Sequence, residues 1–165
     1  MMALLVAASP IEKRNGATVA ADLKDVGVKL DNLTAALEKY QGGIVAGLPV
    51  QQAESPLETA ITKAATDVKA EPTPIDEAEA RQVLQAFQDI EPGIKKSTDA
   101  VIAKATAFGS LKSTVKGDMV RMKDSSDALA DALIAKAPDA VKKDATDAKA
   151  KVDNYFAGAI KSVET

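Results

Sequence analysis

Two hydroxyls stand where apolar side chains are expected. Thr98 falls in the series Ile94, Thr98, Val101, Ala105, and Ser126 in the series Val115, Met119, Met122, Ser126, Leu129, Leu133. Both series advance by alternating steps of four and three, the spacing of one helix face. A hydroxyl on such a face has two uses. It can bond back to a carbonyl one turn earlier in its own helix, the commoner outcome. It can also hold a polar group brought in from outside, such as a carboxylate. Met119 and Met122 share a face with Ser126. Thioethers adapt to irregular apolar shapes, and they fill ordinary core gaps equally well. Phe87 and Phe156 carry the same double reading.

Other chemistry is scarce. The 165 residues contain no histidine and no cysteine. That removes the usual general base, the thiol nucleophile, any disulfide and most zinc sites. The carboxylates fall at helix starts and on outward positions, where capping and solubility account for them. Gly42-Gly43 is a turn signal, and no glycine-rich phosphate loop is present. No catalytic residue, metal site or cofactor site is therefore assigned, and an enzyme is not expected. Acids and bases are interspersed, with a formal net charge of −3, and no basic stripe exists for nucleic acid.

The elements that must position these residues are helices. Apolar residues make up 46% of the chain and aromatics only 3%, so most of the apolar content is small or aliphatic. Alanine is the best helix former. The first helix shows Val19, Leu23, Val26, Leu30, Leu33, Leu37 and Tyr40 on one face, with Thr18 as N-cap and Gln41-Gly42-Gly43 as its end. Ile44–Glu54 is expected to be a connector, because Pro49 interrupts it. Ser55-Pro56-Leu57-Glu58 then reads as a helix start, with a serine cap and proline at the first position. Its stripe is Leu57, Ile61, Ala64, Ala65 and Val68, stopped by Pro72 and Pro74.

Asp76 caps a third helix with the stripe Ala80, Val83, Leu84, Phe87 and Ile90. Pro92-Gly93 should kink or break it before Ile94 resumes the stripe. Phe108-Gly109-Ser110 is a turn. The fourth helix runs through Val115–Leu133. The fifth opens at Pro138-Asp139 and presents Val141, Ala145, Ala148, Val152, Tyr155, Phe156, Ala159, Ile160 and Val163. About five amphipathic helices with short turns form an all-α antiparallel bundle. The alanine-rich faces either pack closely or line an internal apolar tunnel. Periodicity does not choose between these, and close packing is the default. No run is long enough to cross a bilayer.

The first residues, MMALLVAASPIEKR, read as the remnant of a secretory leader ending in the dibasic site Lys13-Arg14. Residues 1–14 are set apart from a single domain over 15–165. Asn32-Leu33-Thr34 is an N-glycosylation sequon, which export would make usable.

The chain resembles the fungal cell-wall galactomannoproteins, also called hydrophobic-surface-binding protein A. The residues that carry the likeness are VGVKLDNLTAAL (Val26–Leu37), Ile90-Glu91-Pro92-Gly93-Ile94, Asp99–Lys104 and KDSSDALADALIAKAP (Lys123–Pro138). The resemblance implies a bundle that encloses a fatty acid or similar lipid, or one that opens and lays its stripes on hydrophobic surfaces. In the first case the ligand lies among Leu30, Leu33, Leu37, Ile61, Leu84, Phe87, Val101, Ala105, Met119, Met122, Leu129, Leu133, Val152 and Phe156, with Thr98 or Ser126 at the head group. The resemblance also implies a secreted or cell-wall-associated protein, a monomer or weak homodimer. Some relatives end in a Ser/Thr-rich stalk and lipid anchor. Thr165 is reached with neither, so free secretion is expected over anchoring.

Overall fold

The computed structural model describes residues 16–71 and 75–164. The leader with its dibasic site lies outside these residues, as do Pro72 and Pro74. Five helices account for nearly all of the described chain: α1 (Gly16–Lys39), α2 (Ile44–Ala70), α3 (Glu77–Lys104), α4 (Lys112–Lys136) and α5 (Asp139–Ser162). A short 3₁₀ turn, Gly109–Leu111, precedes α4.

Several helix limits have visible causes. Asp76 caps α3 by accepting hydrogen bonds from the Ala78 and Glu79 amides. The α1–α2 corner needs left-handed backbone, and Gly42 (φ 110°) and Gly43 (φ 89°) supply it. Thr18 is not a cap, because α1 already includes Gly16 and Ala17.

The expected connector at Ile44–Glu54 is instead the first part of α2. That helix is continuous through both Pro49 and Pro56, and Ser55 does not start it. Each proline removes one backbone donor and crowds the carbonyl four residues back. Tertiary burial outweighs that cost, since Val50 directly after Pro49 and Leu57 directly after Pro56 are both buried. The α3 helix likewise runs unbroken through Pro92 and Gly93.

Each helix packs against two others, in the circular order α1–α3–α5–α4–α2 and back to α1. Chain direction alternates from one helix to the next. Side by side, however, α1–α3, α3–α5 and α2–α4 are parallel. Tyr40 beyond α1 stacks on Phe108 beyond α3, with ring centroids 5.2 Å apart. The Ile75 amide and the Lys136 carbonyl join the ends of α2 and α4 at 3.0 Å. A closed ring of five helices has an axis that every helix faces. The apolar stripes meet there in one main core. Two glycines let α1 and α3 close up. A Cβ on Gly27 would come within 3.1 Å of Ile90, and one on Gly93 within 3.1 Å of Leu30.

Every seam of the ring also carries an ion pair on its outer side. Lys63 meets Asp22 between α2 and α1, and Lys96 meets Glu38 between α3 and α1. Lys151 meets Glu91 between α5 and α3, Lys149 meets Asp127 between α5 and α4, and Arg121 approaches Glu58 between α4 and α2.

Candidate functional site

Among the described residues, three small apolar cavities are set along the bundle. The central one, about 30 Å³, is lined from all five helices: Val26 and Leu30 of α1, Leu57 and Ile61 of α2, Phe87, Ile90 and Ile94 of α3, Met122, Ser126 and Leu129 of α4, and Phe156 of α5. Toward the α2–α3 and α4–α5 corners is a second, about 20 Å³, bordered by Ile75, Ala80, Val83, Leu84, Phe87, Ala130, Leu133, Ala137, Val141 and Ala145. Phe87 stands between these two. A third, about 80 Å³, opens near the α1–α2 corner among Tyr40, Ile44, Gly47, Leu48, Val50, Gln51, Glu54, Phe108, Leu111, Thr114, Val115 and Asp118.

These volumes are decisive. A single water needs roughly 10–15 Å³, and pockets for drug-sized ligands run about 300–1,000 Å³. As folded, the interior is a packed core with slots, not an open tunnel. Roughly one helical turn separates the central slot from the third cavity: Glu54 to Leu57 on α2, and Asp118 to Met122 on α4.

The two hydroxyls have different fates. Thr98 Oγ1 donates to the carbonyls of Ile94 (3.0 Å) and Lys95 (2.9 Å), so it is satisfied within its own helix. Ser126 is 9% exposed and lines the central slot. It is the one polar side chain in that lining. Of the other residues read from the stripes, Leu30, Ile61, Phe87, Met122, Leu129 and Phe156 also line the slot. Leu84 and Leu133 line the second cavity. Leu33, Leu37, Val101, Met119 and Val152 are buried in the core away from all three cavities. Ala105 is half-buried just past α3.

Val26, Leu57, Ile90 and Ile94 are slot residues that the stripes contained but periodicity could not rank. The third cavity has no counterpart in the stripes; Ile44, Leu48 and Val50 of its wall belong to the apolar run within the segment expected as a connector. Its polar wall is unusual. Asp118 is buried and accepts a hydrogen bond from Arg121 Nη2 at 2.6 Å. Burial pushes the neighbouring Glu54 carboxyl up to about 7, reinforced by the Asp118 charge and opposed by Arg121.

Asn32 is exposed on α1, while Thr34 of the sequon is buried and donates to the Leu30 carbonyl at 2.9 Å. Among the described residues no group of acids could hold a metal ion, and no helix is long and apolar enough to cross a membrane.

Known proteins share this architecture. AfMP4p, solved in complex with palmitic acid, superposes with a TM-score of 0.85 at 27% identity, over 91% of this chain and 100% of that one. Ligand binding domain 1 of the Penicillium marneffei MP1 protein, complexed with arachidonic acids, superposes with a TM-score of 0.83 over 91% of this chain and 99% of that one; at 16% identity it speaks to the fold alone. Cell wall mannoprotein 1 of Aspergillus flavus is 27% identical over 138 residues, which cover 82% of this chain. The chain spans about half the length of that relative, 50%. The model of the hydrophobic surface binding protein A family matches residues 16–135, from the start of α1 to the last turn of α4, and the chain belongs to that family.

Proposed function

We propose that this chain is a lipid-binding protein that takes a fatty acid or similar apolar ligand along the axis of its helical ring. The observation that carries the reading is the central slot, lined from all five helices by apolar side chains with Ser126 as its one polar residue. The likeness to AfMP4p, solved with palmitic acid, supports it. A ~16-carbon chain gains on the order of 12 kcal/mol of gross transfer free energy, at about 0.8 per methylene. That is enough to offset the ordering costs of binding and the parting of seams held outside by surface ion pairs. Binding, not catalysis, is the activity, and the site of action is outside the cell or in its wall, as for the mannoprotein relative. Glycan on Asn32 would project from the outer face of α1 without entering the core.

A second reading has the bundle open and spread on hydrophobic surfaces, as the family's description suggests. Two measurements separate them. Organic extraction of the recombinant protein, followed by mass spectrometry, should recover bound fatty acid. Titration with fluorescent fatty acids should show affinity rising with chain length. Met122→Asp, with folding confirmed by circular dichroism, should abolish uptake. Flat chain-length dependence, or normal binding by a folded Met122→Asp protein, leaves the surface-adsorption reading in its place.

A further inference from the structure

The first turns of α2 stand clear of the bundle. Ile44 is 71% exposed, Val45 80% and Leu48 49%, and all three lie within five consecutive residues beyond the glycine corner. No other part of the described surface gathers three exposed large apolar side chains so closely; Val28, Ile102 and Val120 are scattered on other helices. The same end of the ring receives the last turns of α1, α3 and α5 and the first of α4. These bring Lys39, Lys104, Lys161, Lys112 and Lys116. Lys104 Nζ donates to the Tyr40 carbonyl; the acids at this end are Glu38, paired with Lys96, Glu164, paired with Lys116, and, in the cavity wall, Glu54 and Asp118, the latter paired with Arg121. An excess of cations thus surrounds an apolar tip on a chain whose net charge is −3. The opposite end carries Asp76, Glu77, Glu79 and Asp139 at helix starts.

We propose that this end docks on an anionic phospholipid surface, with Ile44, Val45 and Leu48 entering the acyl region and the lysine rim meeting the phosphates. An apolar tip ringed by lysines matches the layered chemistry of such a surface, apolar below and negatively charged above. A neutral oil would leave the lysines without partners. The tip also forms the outer wall of the roughly 80 Å³ cavity, so a docked molecule presents that cavity to the lipid. The docking stands apart from acyl enclosure and is measured without it.

The test is flotation of the full chain with vesicles of pure phosphatidylcholine, and with vesicles of an equal mixture of phosphatidylcholine and phosphatidylglycerol. Binding is expected only to the mixed vesicles, weakening as salt rises. Ile44→Asp with Val45→Asp should lower partitioning by about tenfold or more. Lys39→Gln and Lys112→Gln should each lower it by about fivefold. Because the chain has no tryptophan, Val45→Trp gives a single reporter, and its emission should shift to the blue on the vesicles. Val28→Trp, on the flank of α1, should not shift. Equal partitioning to both vesicles, binding to neither, or indifference to these substitutions overturns the proposal. A blue shift at both positions also overturns it, since the molecule would then lie on its side or open. None of these vesicles contains free fatty acid, so the result is independent of the titrations above.

Discussion

Glu54 faces Asp118 across the wall of the end cavity, with Glu58 and Arg121 the other charges beside it. Burial comes first among the causes that raise its carboxyl from 4.5 to about 7. The folded state therefore keeps a proton that the unfolded chain has already released. This contribution is fully present below 4.5 and is lost as pH rises toward about 7. Denaturant midpoints should accordingly fall between about pH 5 and about pH 8. Glu54→Gln should flatten that slope and stabilise the protein at the higher pH by on the order of 1–3 kcal/mol. An unchanged slope would place Glu54 in water. Ser126 acts at the same scale. One hydroxyl contributes roughly 0.5–1.5 kcal/mol to a neutral partner and up to about 3 to a charged one. Ser126→Ala should thus weaken fatty-acid affinity by no more than about a hundredfold, read by fluorescence titration.

Helices are held by burial here, often against local preference. Pro56 is the sharpest case. At the first position of a helix proline would be favourable, and its removal neutral or harmful. Inside α2 it costs about 3 kcal/mol, partly offset by about 1 from a stiffer unfolded chain. Pro56→Ala should therefore stabilise the protein by about 2 kcal/mol in urea unfolding, whereas a neutral or negative change would restore the shorter helix. Two glycines make the complementary point. Gly117 lies within α4 with nothing near a new Cβ. Gly117→Ala should stabilise by about 0.5–1 kcal/mol. At Gly93 a Cβ would already press Leu30, so Gly93→Val should destabilise by about 1–3 kcal/mol through overpacking of the α1–α3 contact. Both are read from thermal midpoints.

At the scale of the molecule, the slot of about 30 Å³ is at least tenfold smaller than a ligand pocket. Lipid entry then requires the ring to widen. Stopped-flow uptake should level off as lipid concentration rises, at a plateau set by opening. Ligand at a hundredfold excess over Kd should stabilise by about 2.7 kcal/mol. At about 2–4 °C per kcal/mol, the melting temperature should rise by roughly 5–11 °C. Saturating palmitate without any rise would argue against an enclosed ligand.

Helical period and composition alone established an all-α bundle, because Leu23, Leu30 and Leu37 and their counterparts repeat at a spacing only a helix turns into one face. Composition likewise carried the lack of histidine and cysteine chemistry, and the inward setting of Ser126 followed from its place in the stripe. Tertiary structure decided the rest. Propensity made Pro49 an interruption and Pro56 the first position of a new helix, yet burial of Val50 and Leu57 extended α2 across both. A stripe names an inward face but not the helix it meets. Only the ring order brought Leu30, Ile61, Phe87, Met122, Ser126 and Phe156 to one slot while leaving Leu33, Leu37 and Met119 in plain core. Only the corner at Gly42-Gly43 lifted Ile44, Val45 and Leu48 clear of it, because exposure depends on what neighbouring helices cover and that is not written in any one segment.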